Sequence, residues 1–316
     1  MTVCHDLIDE CKTFEWAKRA QIPFVTDLQA PPLPWTEVEL TPGEWARIYP
    51  LLPGGEGQRG RPRTPEDDFR ILNGICWIMR TGAPWRDLPR HYGSHKSAWS
   101  RLSRWTRAGV WDQLFDAIKV QAQAEETVDW SIHHIDSITC KAHPDAAGAR
   151  HPESQSTQDA RVEESLGKSR GGWCTKLHVR CEGSGKPVVL LIGAGNRHDS
   201  TMFADVVEDG AIKTASGQTK QRPRAVAADK AYGSRAHRKL LRKKGIKAVI
   251  PHKRNEKNPR PHDQDLYRHR NIIERFFRWM QRYRRLAVRY EKRGENFRAF
   301  WVIGALRMWI RDPFAG

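Results

Sequence analysis

Residues Tyr267–Lys292 read YRHRNIIERFFRWMQRYRRLAVRYEK, a run in which Glu274 is the only acid before Glu291. At ~100° per residue, Tyr267, Arg270, Glu274, Arg278 and Gln281 share one helical face. Leu266, Ile273, Phe277 and Met280 form an apolar stripe on one side of that face. Ile272, Phe276, Trp279 and Tyr283 form another on the opposite side. The pattern predicts a helix buried on two sides with a narrow polar strip between. Spacing alone leaves two readings of that strip. Glu274 is either the partner of Arg270 or Arg278 in a structural ion pair, or it faces a metal ion while Tyr267 and the arginines face phosphates.

Outward from this stretch, the chain has 316 residues, enough for about two domains. Its formal net charge of +17 calls for a polyanionic partner, and nucleic acid fits better than a membrane. No apolar run approaches the ~20 residues of a spanning helix, and the N-terminus has no signal-peptide pattern. The expectation is a soluble, cytoplasmic, nucleoid-associated protein. The six cysteines (Cys4, Cys11, Cys76, Cys140, Cys174, Cys181) contain no C-x-x-C pair, as expected of free thiols in a reducing compartment. Zinc on Cys174, His178 and Cys181 is disfavoured, because alternation sends His178 and Cys181 to opposite faces of a strand.

Residues 1–34 end in a proline-rich stretch and read as an extension or linker. Residues 35–126 read as helical. Thr41-Pro42-Gly43-Glu44 starts a helix anchored by Trp45 and Ile48. A glycine- and arginine-rich loop carrying Arg61 and Arg63 follows, either a groove-tracking loop or a solvated connector. Glu66–Arg80 has helical spacing and stops at Thr81-Gly82-Ala83-Pro84. Ser94 caps a second helix ending at Gly109, with Trp99, Leu102 and Trp105 or Thr106 inward. Lys96, Arg101, Arg104 and Arg107 take the remaining surface of that helix. A further helix spans Trp111 to about Ala124. Helix, turn, basic helix, helix resembles a helix-turn-helix module with Ser94–Arg107 in the major groove, against the alternative of a small bundle with a solvated basic face.

Residues 127–316 change period. Ser131–Cys140 reads as a buried strand with a polar tip at Asp136–Ser137. Thr175–Cys181 alternates, and Pro187–Ile192 returns as a buried strand. A helix capped by Ser200, a strand Arg224–Asp229, a basic helix Ala236–Lys244, a strand Ala248–Ile250, the Glu274 helix and a last helix Asn296–Arg311 complete the order β-β-β-α-β-α-β-α-α. That order predicts an α/β fold with a mixed sheet covered by helices. Asp136 and Asp229 fall at strand ends, where ligand sites gather in such sheets. Each alone is more often a turn or cap residue. With Glu274 they make a three-carboxylate set suited to Mg²⁺, and two such ions support in-line phosphoryl displacement.

Several blocks carry a resemblance: Asp136-Ser137 with Lys141-Ala142-His143; Gly167–His178; Gly195-Asn-Arg-His-Asp199; Ala228-Asp-Lys-Ala-Tyr-Gly233; and Tyr267-x-x-Arg270-x-x-x-Glu274-Arg-Phe-Phe277. From about Trp35 to Arg311 the chain resembles bacterial insertion-sequence transposases of the DDE class, in the group typified by insertion sequence five. The resemblance implies an RNase H-like catalytic domain with a triad at Asp136, Asp229 and Glu274 holding two Mg²⁺ or Mn²⁺ ions. It implies cleavage at the element's terminal repeats and transfer into target double-stranded DNA, with two protomers on the DNA. Tyr267 and Arg270 match the signature ahead of the glutamate, and a role in phosphate positioning is implied for them. The short Asp229–Glu274 interval leaves no room for an inserted β-rich domain. Two positions depart from the family pattern. Gln281 stands where a basic residue is usual, which leaves Arg278 or Arg282 to serve, and Ala231 replaces a common glycine. A DNA-binding regulator without chemistry and a hydrolytic nuclease are the alternatives. The intact acids argue against the first and the helical N-terminal portion against the second.

Overall fold

The computed structural model describes residues 38–53, 64–148, 164–214, 216–252 and 261–311. The extension 1–34 and the loop arginines Arg61 and Arg63 lie outside these. The chain divides into two compact units, Met1–Ile78 with Ala83–Arg101, and Met79–Gly82 with Leu102–Gly316.

In the first unit, α1 (Pro42–Ile48) opens on the expected capping box. The Thr41 hydroxyl accepts from the Glu44 amide at 3.2 Å, and the Glu44 carboxylate accepts from the Thr41 amide at 2.7 Å. Helix α2 (Pro65–Thr81) starts on the same device, with Thr64 and Asp67 exchanging side chain-to-amide bonds. Its apolar face buries Phe69, Leu72, Ile75 and Cys76, and Trp45 of α1 meets Phe69 edge-on at 5.3 Å. Helix α3 (His95–Arg107), which begins in the first unit and continues into the second, corrects one expectation. Ala98, Leu102 and Trp105 fill its inward stripe at i, i+4 and i+7, so Trp99 is turned outward and is 51% exposed.

In the second unit, Gly109, at φ +69°, separates α3 from α4 (Val110–Ala124). The sheet then begins with β1 (Ile132–Ala142), followed by the four-residue α5 (Pro144–Ala147), β2 (Gly167–Ser169), β3 (Gly172–Cys181) and β4 (Pro187–Ala194). A 3-10 turn at Asp199–Met202, capped by His198 and not Ser200, leads into α6 (Phe203–Glu208). The small hairpin β5 (Ile212–Lys213) and β6 (Thr219–Lys220) precedes β7 (Ala225–Ala228), α7 (Arg235–Lys243) and β8 (Lys247–Val249). Strands β2, β5 and β6 are too short for periodicity to reveal. β4 and β1 flank β3 antiparallel, and β7 and β8 continue parallel to β1. The order β4-β3-β1-β7-β8 is the mixed, RNase H-like sheet expected. The described residues between β7 and Glu274 hold only short helices and β8, with no added β domain.

The quoted stretch is not one helix. It breaks into α8 (Gln264–Arg268), α9 (Asn271–Gln281), α10 (Arg284–Ala287) and β9 (Val288–Arg289). His269 and Arg270 form a turn after α8. Tyr283 leaves helical geometry (φ −84°, ψ 106°) with its ring buried 5.2 Å from Trp279. Ile273, Phe276, Phe277 and Met280 of α9 are buried as the two stripes require.

The last helix, α11 (Gly294–Arg311), is buried along most of its length. A Cβ on Gly304 would stand 2.7 Å from the Met280 methyl, so glycine there lets α9 settle onto α11. Arg298 of α11 holds Asp112 of α4 in a two-pronged pair at 2.7 and 2.8 Å. Alternation along the strands splits the core between two sheet faces. Ile135, Val226 and Ala228 pack with Phe203, Tyr232 and Leu241 on one, and Ile132, Ala225 and Ala227 pack with Leu266 and Tyr267 on the other. Among the described residues no helix is long and apolar enough to cross a membrane.

Candidate active site

Strand β1 runs past the position expected as its tip, so Asp136 lies within a strand and not at its end. Its exposure comes from the neighbour. β7 stops at Ala228, which pairs with Ile135, and the next residues in register are Asp136 and Asp229. The antiparallel partner β3 continues, with Val179 opposite Asp136. Parallel strands of unequal length therefore set two aspartates side by side where the sheet loses one strand.

Asp229 ends β7 and caps the 3-10 turn Lys230–Tyr232. Its Oδ1 accepts from the Ala231 amide at 2.7 Å, a bond that leaves Ala231 no need of glycine freedom. Asp136 Oδ1 accepts from the Ser137 amide at 2.8 Å. Burial pushes the Asp136 carboxyl above its ordinary value, and the charge of Asp229 adds to this. The Ser137 amide and Arg270 pull it back.

Arg270, in the turn between α8 and α9, reaches both remaining acids. Nη1 donates to Asp136 Oδ2 at 2.8 Å and Nη2 to Glu274 Oε1 at 2.7 Å. Its guanidinium lies 5.9 Å from the centre of the Tyr267 ring. The ion-pair reading of the polar strip is met: Glu274 pairs with Arg270, and that pair extends to the sheet aspartate. Among the described residues no three His, Cys, Asp or Glu side chains close on a common point as metal ligands do. At this site the guanidinium stands between two of the acids. The donor set nonetheless suits a hard divalent cation, being all carboxylate oxygen, with Asp136 and Glu274 already sharing one positive group.

The opposite face of β1 carries a constellation that sequence reading left without a role. Ser137 points away from Asp136, and its hydroxyl donates to Asp199 Oδ1 at 2.8 Å. Lys176 of β3 reaches the same oxygen at 2.9 Å and the Arg197 carbonyl at 2.7 Å. Burial raises the Asp199 carboxyl, but the bonds from Lys176 and Ser137 outweigh it and hold it below the usual carboxylate range. The signal was present in β3. Lys176 and His178 share a face of a strand whose other face is Leu177, Val179 and Cys181, and a lysine so placed needs a partner. Asp199→Asn is expected to destabilise the fold by about 1–2 kcal/mol, because Lys176 and Ser137 lose a charged acceptor. Urea unfolding checks this, and an unchanged midpoint would reduce Asp199 to a surface brace.

The proposed DNA contacts divide. Lys96, Arg104 and Arg107 are exposed on α3. Arg101 is not. It is 5% exposed, and its Nη1 donates to buried Asp68, so it belongs to the packing of α2 against α3 and is withdrawn as a surface cation. Arg278 and Arg282 are exposed, and the Arg282 carbonyl accepts from Arg80 at 2.6 Å. Tyr267 is half-buried, edge-on to His262 at 5.2 Å.

Comparison with known proteins gives two family matches along the chain. Residues 40–115 match the family described as "Putative transposase of IS4/5 family". The "Putative transposase for insertion sequence element IS402" of Burkholderia cepacia is 33% identical over 131 residues, 41% of this chain and 60% of that protein. This chain therefore matches somewhat under two thirds of that relative's length. The uncharacterized protein y4sN of Sinorhizobium fredii (strain NBRC 101917 / NGR234) is 39% identical over 108 residues, 34% of this chain and 79% of that protein. Among solved structures, a chain of the Mos1 strand transfer complex aligns over 81% of both chains at 11% identity, with a TM-score of 0.28, too low to relate positions. Residues 135–309, more than half the chain, match the family "Transposase DDE domain", and the chain belongs to that family.

Proposed function

We propose that this chain binds the terminal inverted repeats of its own element, cuts the DNA at those ends and joins them to target DNA by phosphoryl transfer. Asp136, Asp229 and Glu274 are the carboxylates that hold two divalent ions, Mg²⁺ or Mn²⁺. The observation that carries the reading is the β1–β7 register, which brings Asp136 level with Asp229, together with the Arg270 bridge from Asp136 to Glu274. Ions held there would supply activation of the attacking water or 3′-hydroxyl and stabilisation of the leaving oxygen. The protein's own part is to hold three acids on a sheet, a turn and a helix so that the DNA backbone arrives beside them. Tyr267 and Arg270 flank that position, and once bound ions neutralise Asp136 and Glu274 the Arg270 fork would be free to turn to phosphate. Lys96, Arg104 and Arg107 of α3 serve recognition of the ends, within a helical segment 35–126 that precedes the catalytic portion 127–316. Two protomers hold the two ends.

The test is incubation of the protein with a labelled duplex carrying the terminal repeats that flank its gene, in Mg²⁺ or in Ca²⁺. Cleavage at the repeat boundary in Mg²⁺, followed by joining to a second duplex, is expected. Binding to the repeats with no cut in any divalent ion would favour the regulator reading. Cutting of any duplex without joining would favour the nuclease.

A further inference from the structure

Helix α7 is a basic element to which the proposed chemistry gives no role, and it begins at the candidate site. Asp229 ends β7, the 3-10 turn follows, and the Ser234 hydroxyl caps α7 by accepting from the His237 amide at 3.2 Å. As the crossover between parallel strands β7 and β8, α7 runs back along the sheet from the edge that carries Asp136 and Asp229. From Lys230 to His252 the sequence holds eight Lys and Arg and not one Asp or Glu.

These cations are not equivalent. Arg238 is committed to the fold, donating to the carbonyls of Gly233, Ile250 and Pro251 at 3.0–3.3 Å. Lys244 pairs with Glu208 at 3.6 Å and Lys247 with Asp263 at 2.8 Å. Arg235, Lys239, Arg242 and Lys243 are exposed, and among the described residues no carboxylate pairs with them. At ~100° per residue the four fall within an arc of about 100°, and at ~1.5 Å per residue they extend over about 12 Å. The other side of the helix is held down by buried Leu241 and by the His237 ring stacked 4.4 Å from Phe203. A solvated helix face normally mixes its charges, whereas this one is a ridge of a single sign fixed to the core.

Resting on the transposase reading, we infer that the α7 ridge binds the phosphate backbone of the target duplex beside the active site. The arc offers only Lys and Arg, which suit phosphates. Phosphate contacts of that kind position a duplex and carry no sequence information. Such a surface holds duplexes without regard to sequence, which is the property a target site requires and a terminal repeat does not.

The test is the quadruple variant Arg235→Gln, Lys239→Gln, Arg242→Gln and Lys243→Gln, all on the exposed face. Affinity for a duplex without terminal repeats should fall, and the slope of log affinity against log salt should shrink by about 3–4, at ~0.9 for each phosphate no longer neutralised. Cleavage at the repeat boundary should stay at the wild-type rate while joining to a second duplex falls at least tenfold. Unchanged affinity for repeat-free duplex would make the ridge a solvated face. A parallel loss of boundary cleavage would assign the ridge to the element's ends and overturn the target assignment. A wild-type protein with no duplex affinity would sink the transposase reading and this inference together, and that is visible before any variant is made.

Discussion

Alanine at Asp136, Asp229 or Glu274, the proposed triad, is expected to lower the proposed strand cleavage at least ~10³-fold, because each would take a carboxylate ligand from the divalent ions. Duplex affinity should hardly move, since none of the three donates to DNA. Two of the positions also have structural bonds, which decides the choice of variants. Asp229 caps the turn into α7 through the Ala231 amide, and Asp136 accepts from the Ser137 amide. Asn retains an acceptor at both sites and loses only the charge. Asp229→Asn and Asp136→Asn should therefore melt near the wild-type temperature yet remain inactive. Cleavage by either Asn variant at even a tenth of the wild-type rate would remove that residue from the proposed triad.

A second large effect is loss of stability in acid, centred on three buried histidines. His133, His134 and His178 have ring nitrogens with no hydrogen-bond partner among the described residues. Burial pushes the pKa of His134 and of His178 down to about 4, and that of His133 well below its ordinary value. Between the unfolded value near ~6.5 and the depressed folded values, the unfolded chain binds more protons, so stability must rise with pH. The contribution is complete above pH ~6.5 and is lost as pH falls toward about 4, on the order of 3 kcal/mol each for His134 and His178. Asp136 and Glu182, whose carboxyls burial raises, run the other way just above pH ~4 and trim this loss. Urea unfolding at pH 7.5, 6 and 5 should show a falling midpoint. His178→Phe should flatten that fall, and an equally steep fall in the variant would move the cause elsewhere.

The core strands and the three acids were legible because they depend on local pattern. Leu177, Val179 and Cys181 alternate, Ala225–Ala228 is too apolar for a surface, and one acid among arginines stands out in any window. What escaped the sequence was relational. That Asp136 sits mid-strand depends on β3 pairing beyond it, and its exposure depends on how far β7 extends beside β1; neither pairing length leaves a mark on β1 alone. Arg101 has the spacing of a surface cation, and only Asp68 on another helix reveals that it is buried. Trp99 reads as core because Trp usually is, yet Ala98 already fills the inward position beside Leu102 and Trp105. The break at Tyr283 has no Gly or Pro to announce it.

Arg270 has a consequence for how such a gene ages. It binds two of the three acids at once, so a change at Asp136 or Glu274 still leaves it one carboxylate, and the loss is absorbed locally. Inactivating mutations at these positions therefore need not unfold the protein. On the proposed function, a copy that loses its chemistry would persist as an intact chain with its cationic surfaces in place, able to compete with active copies for the same DNA.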